Sequence, residues 1–127
     1  MTTTLARPAV IPLSIDQGAT FRWTINYVDA DGNPVDLSGR QAMMQIRSAT
    51  SGYCFWTLTA EQGGGITLNA ANELGRIDLY LSPAQTQLIV HKNCNYDLIV
   101  IVPGGDVIGI CEGTIYVDPA CAIVDRA

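Results

Sequence analysis

Alternating hydrophobic and polar residues dominate the chain and predict short β-strands. The clearest run spans residues 21–27, where aromatic and β-branched side chains alternate with polar ones. Similar runs occupy 41–48, 53–59 and 76–81, with Asp-Gly, Gly-Gly-Gly and Pro-Gly turn signals between runs along the chain. About seven to eight short strands at this spacing predict an all-β fold, an antiparallel β-sandwich of the Ig-like type. A small barrel is the alternative.

One strand-to-helix corner, residues 75–88, interrupts this pattern. The alternation stops at Ser82-Pro83. Ser82 suits a helix N-cap, Pro83 suits the first helical position, and Gln85 completes a capping box. The sequence therefore predicts one short helix near 83–90, with Leu88 and Ile89 packed on the core.

Three segments follow from the same pattern. Residues 1–12 are rich in Thr, contain Pro8 and lack periodicity, which indicates an N-terminal arm of the kind that a neighbouring molecule orders. Residues 13–119 form the predicted β-sandwich domain, and 120–127 form a C-terminal tail. Within the last predicted strand, Gly109 and Gly113 indicate bulges or a close approach of another backbone. The apolar run after Asp97 indicates a central strand buried on both faces.

Composition narrows the function classes. The 127 residues are 48% hydrophobic and only 15% charged, which is typical of a folded domain with a real core. The net charge of −5 leaves no basic stripe to neutralise phosphates, so nucleic acid is not an expected partner. The longest apolar run, Leu98 to Val102, is too short to span a bilayer, and residues 1–10 lack the apolar region of a signal peptide. We expect folding in a cytoplasm and no membrane partner.

Candidate chemistry is sparse. His91 is the only histidine, and its neighbour Cys94 does not make the geometry of a Cys–His site, since adjacency in sequence is not what such a site needs. Asp29 and Asp31 faintly resemble a calcium loop but lack its bidentate Glu and flanking helices, so a turn is expected there. Residues 63–65 lack the Lys-Ser/Thr ending of a phosphate loop. No catalytic, cofactor-binding or metal-binding residue is predicted, no cofactor is expected, and the chain is predicted not to be an enzyme.

The four cysteines are expected to be reduced and structural. They show no C-x-x-C spacing, and Cys54 and Cys111 lie in predicted strands, where a free thiol packs as a small hydrophobe. A bridge such as Cys94–Cys111 stays open, because the sequence does not decide pairing.

Aromatic and terminal residues provide the candidates for partner contact. Trp23 and Trp56 could stack on a sugar, but the alternation assigns both to the core. Tyr53 and Phe55 fall on the opposite face and are expected to contact a partner. The terminal segments add Leu5, Pro8 and Val10 from the arm and Ile123 and Val124 from the tail.

An ordered series of short motifs carries a resemblance. The motifs are IDQGATF at 15–21, DGNPVDLSG at 31–39, AMMQIR at 42–47, GRI at 75–77, LSPAQT at 81–86, YDL at 96–98 and EGTIYVDP at 112–119. Together they resemble small proteins encoded among the tail and structural genes of tailed phages and prophages. They are also similar to the N-terminal β-sandwich domain of baseplate upper proteins.

The resemblance implies a non-enzymatic structural component of a bacteriophage virion, in the tail or baseplate. Such a protein is expected to self-associate as a homo-oligomer and to dock to other phage structural proteins, after assembly in the bacterial host cytoplasm. A capsid decoration or cement protein is the first alternative. A carbohydrate- or receptor-binding module of a phage tail is the second.

Overall fold

The structure, a computed structural model, describes residues 2–6, 8–90 and 92–119. In this part of the chain, ten strands form two sheets that enclose one core. The strands are β1 (Thr2–Leu5), β2 (Ala9–Val10), β3 (Leu13–Asp16), β4 (Phe21–Tyr27), β5 (Gln41–Ser48), β6 (Cys54–Thr59), β7 (Ile66–Leu68), β8 (Arg76–Leu81), β9 (Asn93–Ile101) and β10 (Val107–Asp118). A 3₁₀ turn spans Ala70–Asn72, and one helix, α1, spans Pro83–Gln87. The prediction of an all-β, sandwich-like fold with one short helix is confirmed.

Both sheets are mixed rather than purely antiparallel. The first sheet has the order β1-β4-β8-β7, and the second has the order β2-β10-β9-β5-β6, with β3 also paired to β10. Three pairs are parallel: β1 with β4, β2 with β10 and β3 with β10. All three involve the N-terminal segment, which places one strand in the first sheet and then two in the second.

The predicted N-terminal arm thus contains strands of both sheets. β1 and β2 are only four and two residues long, so no alternation was available to detect them. Their residues pair with β4 and β10 of the same chain. These short parallel strands explain why the described residues contain ten strands where seven or eight were expected. Residues 120–127, the predicted tail, lie outside the described residues.

The core lies between the inward faces of the two sheets. Trp23 of the first sheet and Tyr96 of the second meet edge to face, with ring centroids 6.1 Å apart. The indole N–H of Trp23 donates a hydrogen bond to Oγ1 of Thr3 at 3.0 Å, and the hydroxyl of Tyr96 donates to the carbonyl of Ile11 at 2.7 Å. Each buried aromatic ring therefore places its polar atom on the N-terminal segment, which fixes that segment to the core.

β9 is a central strand, but it is not buried on both faces. Leu98 and Val100 point into the core, whereas Ile99 and Ile101 lie half-buried on the outer face of the second sheet. Among residues 2–6, 8–90 and 92–119 no further layer covers this outer face, so an apolar strand leaves hydrophobic side chains on it.

A bulge reverses the expected orientation of Cys54. Ile46 faces Trp56, but the next residue, Arg47, faces Cys54, so that Phe55 is an extra residue on β6. An extra residue shifts the two-residue period of a strand by one position. Cys54 is exposed as a result, contrary to the expectation of a buried thiol, and Trp56 is only half-buried.

The predicted helix corner is confirmed. Oγ of Ser82 accepts a hydrogen bond from the backbone N–H of Gln85 at 3.2 Å, and Oε1 of Gln85 accepts one from the backbone N–H of Ser82 at 2.9 Å. The helix ends at Gln87, after which Ile89 is fully buried while Leu88 is 60% exposed. The expected packing of Leu88 was wrong. Among the described residues no helix has the length and apolar content to cross a bilayer.

The two glycines of β10 behave as the pattern indicated. The register shifts between Gly109 and Cys111, which marks a bulge. At Gly113 a Cβ atom would lie 2.5 Å from the carbonyl oxygen of Ile11, which is closer than real Cβ contacts come. Glycine is therefore required where the N-terminal segment crosses β10.

Candidate partner-binding surfaces

The outer face of the first sheet is polar and built from cross-strand rows. Register places Thr24 opposite Asp78, and the hydroxyl of Thr24 donates to that carboxylate at 3.0 Å. In the next row Arg22 lies opposite Tyr80, with its guanidinium 4.8 Å from the centre of the ring. This cation–π contact places a charged group over the face of an aromatic ring.

Arg76 is fixed on the same face by two carboxylates. Its side chain is 2.9 Å from both Asp78 and Glu73. The hydrogen bonds that Arg76 donates to Asp78 and then to Glu73 raise its pKa above its already high usual value. Because two carboxylates already neutralise Arg76, it is less available to a partner's carboxylate than Arg22, which lies at the other end of the face.

Loops that project at the edges of this face make it concave. The resulting open concavity has a volume of about 1260 Å³ and includes Arg22, Arg40, Leu74 and Tyr80 in its lining. The predicted corner at 36–39 forms part of one wall. There Asp36 accepts hydrogen bonds from Ser38 and from the side chain of Asn69, which precedes the 3₁₀ turn. These bonds lower the pKa of Asp36, and those from Ser38 contribute most. We call this surface the concave face.

The outer face of the second sheet carries a shallow apolar hollow with an acidic border. The hollow has a volume of about 320 Å³, and Pro8, Val10, Ile99 and Gly109 are among its lining residues. Val10 is 74% exposed, and no atom lies within 4 Å of the position that a Cβ of Gly109 would take. The absence of a side chain at Gly109 leaves the floor open above Ile99, which is its direct neighbour on β9.

Two carboxylates face each other at the border of this hollow. Asp97 of β9 and Glu112 of β10 are directly opposite in the register. Asp97 has a partner in Arg47 at 3.4 Å, an exposed and long ion pair of little energetic weight. Like charges directly opposite each other across strands are destabilising, so the border attracts a further cation. We call this surface the acidic hollow.

Charge is divided unequally between the two sheets. The strands of the second sheet carry four carboxylates and one guanidinium, a net charge of −3. The strands of the first sheet carry two guanidiniums and one carboxylate, a net charge of +1. Since the two outer faces point away from each other, the domain has an acidic side and a weakly basic side.

The residues predicted to contact a partner are dispersed. Pro8 and Val10 are exposed and line the acidic hollow. Leu5 is half-buried against the core. Tyr53 is 63% exposed and meets the half-buried Phe55 edge to face at 5.1 Å, away from that hollow's lining. Ile123 and Val124 lie outside the described residues.

Sequence reasoning missed the charged residues of both surfaces. Arg22 and Tyr80 are 58 positions apart, and Asp97 and Glu112 are 15 apart, so only the strand register brings each pair together. Alternation assigned Arg22 and Tyr80 to the polar side of their strands, but it assigned neither Asp97 nor Glu112. Knowing which outer residues become neighbours requires knowing which strands pair.

The titratable groups of the core are suited to packing. Burial raises the pKa of the Cys111 thiol to about 11, and it also raises the pKa values of Cys94 and Tyr96. These groups hold their protons at neutral pH, whereas a nucleophilic cysteine needs the thiolate. Cys94 and Cys111 lie on neighbouring strands, but they face Ile115 and Leu98 respectively, and no disulfide joins them. The possible partner His91 lies outside the described residues.

The described ranges hold no candidate metal centre, and their two tryptophans do not form a sugar platform. No group of three His, Cys, Asp or Glu side chains there could hold a metal ion. Trp23 is buried, Trp56 donates its indole N–H to the carbonyl of Gln85 at 3.0 Å, and the ring of Tyr80 is covered by Arg22. The prediction that Trp23 belongs to the core is confirmed, and Trp56 packs at its edge.

Comparison with known proteins supports the fold. No model of a protein family matches this sequence, and no curated protein matches it. Among solved structures, the chain is similar to the N-terminal domain of phage TP901-1 ORF48, with a TM-score of 0.53 and 11% sequence identity. The similarity covers 93% of this chain and 99% of that domain. At this identity the match concerns the fold, and in fold the chain resembles a phage protein domain, as its motifs suggested.

Proposed function

We propose that this chain is a non-enzymatic structural component of a bacteriophage virion, located in the tail or baseplate. It acts by self-association and by docking to neighbouring virion proteins, and it is assembled in the bacterial host cytoplasm. The observation that carries the proposal is the similarity in fold to a domain of a phage protein, which extends over almost the full length of both.

The surfaces support a role in assembly. The conspicuous features of the described part of the chain are two broad outer faces, one concave and polar and one apolar with an acidic border. Interfaces of this kind recognise proteins through packing and charge rather than through a deep pocket. The buried thiols of Cys94 and Cys111 keep their protons and pack the core, as expected of a protein that acts through contacts on its surface.

The N-terminal segment also supports a role in assembly, although it does so as part of the sandwich and not as the separate arm that the sequence predicted. Its strands pair within the chain, so the segment is a part of the sandwich that brings Pro8 and Val10 to an exposed position. Removing the first ten residues would therefore take away two strands together with the contact residues. A surface substitution such as Val10→Asp is the cleaner test, because it leaves the strand pairing of β2 in place.

The test is the position of the chain in purified particles. We expect a cryo-electron microscopy map of particles from the host that carries the gene to show this domain in the tail or baseplate, and Val10→Asp to reduce its amount per particle in quantitative mass spectrometry. Asp31→Lys, in an exposed turn, is the control and should leave the amount unchanged. Particles that lack the domain, or that carry it on the capsid as a decoration protein would, overturn the proposal.

A receptor-binding module of a phage tail is the competing hypothesis. It requires an exposed aromatic platform, and the tryptophans of this chain are buried or half-buried. A glycan array on which the purified protein binds a sugar, with binding lost in Tyr53→Ala, would favour that hypothesis over a structural role.

A further inference from the structure

We propose that copies of this chain associate head to tail, with the acidic hollow of one copy seated against the concave face of the next. The inference deepens the self-association in the proposed function and rests on it. It commits both outer faces of the sandwich to one kind of contact and names the occupant of each as a second copy of the same chain.

Charge complementarity is the first argument. The acidic hollow belongs to a sheet with a net charge of −3, and the concave face belongs to a sheet with a net charge of +1. The lining of the concave face adds the guanidinium of Arg40 and the carboxylate of Glu61, which leaves its net charge at +1. Bringing opposite outer faces together therefore pairs unlike charges, whereas placing two acidic hollows against each other would pair like charges.

The carboxylate pair gives this complementarity a specific place. Asp97 and Glu112 oppose each other on adjacent strands, and among the described residues of one copy the long ion pair from Arg47 reaches Asp97 and not Glu112. A cation from outside would neutralise Glu112 and relieve the repulsion. Arg22 fits this role, because it is exposed and its guanidinium already lies over the ring of Tyr80. A group fixed in this way loses little freedom when it binds.

Apolar surface is available on both sides of the contact. Pro8 and the exposed Val10 line the acidic hollow, and Leu74, 54% exposed, and Tyr80 line the concave face. An apolar centre with charged groups at its edge is the usual arrangement of a protein–protein interface. Seating Leu74 or Tyr80 over Val10 would remove hydrophobic area from water on both copies.

The topology then determines the symmetry. The two surfaces lie on the outer faces of opposite sheets, so that each copy presents one surface on each side. A contact between unlike surfaces is heterologous, and repetition of it produces a closed ring when the rotation per step divides a full turn, or otherwise a filament. The inference predicts an assembly with more than two copies rather than a two-fold dimer.

The test uses two charge-reversed variants, each of which should associate poorly alone but well when the two are mixed. Arg22→Glu makes the concave face acidic, and Glu112→Arg makes the hollow basic, so each variant repels further copies of itself. In an equimolar mixture, the reversed concave face of one variant meets the reversed hollow of the other, while the remaining contacts are native. We expect sedimentation velocity to show an oligomer larger than a dimer for the unmodified chain, more than tenfold weaker association of each variant alone, and recovery in the mixture.

Controls separate this contact from other causes. Lys92→Glu and Asp31→Lys change charge by the same amounts outside both surfaces and should leave association unchanged. Recovery in the mixture also demonstrates that both variants fold. An unmodified chain that stays monomeric at about 1 mM, the weak end of specific affinities, overturns the inference. So does an oligomer that both variants leave intact, although that result would leave self-association and the virion role standing.

Discussion

The hydroxyl of Thr86 provides the sharpest test of how the helix corner is attached to the sandwich. Thr86 is fully buried, and its Oγ1 accepts a hydrogen bond from the backbone N–H of Gly18 at 3.0 Å. The same hydroxyl lies 2.8 Å from the carbonyl of Ala19, to which it donates. These bonds connect α1 to the turn between β3 and β4, which is 68 residues away in sequence. Thr86→Val keeps the size and branching of the side chain and removes the hydroxyl, which also lies 3.1 Å from the carbonyl of Pro83 within α1.

The cost follows from the groups that lose their partner. The N–H of Gly18 is buried, and a methyl group in place of Oγ1 leaves it without an acceptor. Stranding a buried donor costs about 1–3 kcal/mol, and the carbonyl of Ala19 loses a bond as well, so we expect Thr86→Val to reduce the free energy of unfolding by about 2 kcal/mol. For a domain of this size, that loss lowers the Tm by about 8 °C. Thr86→Ser keeps the hydroxyl and loses one buried methyl group, which costs about 1 kcal/mol.

Urea unfolding followed by tryptophan fluorescence measures these differences, because Trp23 is buried in the native core. Equal slopes of the unfolding free energy against urea for all three proteins would show that the unfolded states are comparable. The expected order of stability is native, then Thr86→Ser, then Thr86→Val. A valine variant within about 0.5 kcal/mol of the native protein, or a serine variant as unstable as the valine variant, would refute the assignment of this hydroxyl as the link.

Three further perturbations test other parts of the fold. Gly113→Ala forces a Cβ to within 2.5 Å of the Ile11 carbonyl and should reduce the free energy of unfolding in urea by about 1–3 kcal/mol. Gly109→Ala, with open space around the added Cβ, should reduce it by less than about 1 kcal/mol. Equal costs would contradict the close approach. Ser82→Ala removes one bond of the capping box and should cost about 1 kcal/mol, against a negligible cost for the exposed Ser14→Ala, as measured by thermal unfolding. Burial raises the pKa of Cys111 from 9.0 to about 11, so the native state keeps a proton that the unfolded state loses. This contribution to the free energy of unfolding is complete below pH 9 and should be lost as the pH rises to 11. Cys111→Val should flatten that decline in stability.

Features determined by neighbours along the chain were predictable from the sequence. The capping box at Ser82 and Gln85 needs residues three apart, and both of its hydrogen bonds are present. The turn at Asp29 is equally local, since its carboxylate accepts bonds from the backbone N–H groups of Asp31 and Asn33. Gly113 was recognisable because a glycine inside a strand is unfavourable unless something occupies the space of its side chain.

Features determined by strand pairing were not predictable in the same way. β1 and β2 lack alternation, because pairing along their edges with β4 and β10 holds them in place, with Thr3 bonded to Trp23 rather than packed as a hydrophobe. Cys54 illustrates a second cause. The bulge at Phe55 reverses the orientation of the residues before it, and nothing in the local sequence marks an extra residue in β6.

The bulge in β10 shows how one such residue determines a binding surface. Before it, Val107 and Gly109 point outward; after it, Cys111 points inward and Glu112 outward, because Ile110 is the extra residue. Without the bulge, strict alternation would turn Glu112 into the core, where an unpaired carboxylate costs several kcal/mol, and would turn Cys111 out. The same extra residue therefore removes a charge from the core and places it opposite Asp97. The acidic hollow therefore depends on the bulge at Ile110, which holds Glu112 on the outer face beside Asp97.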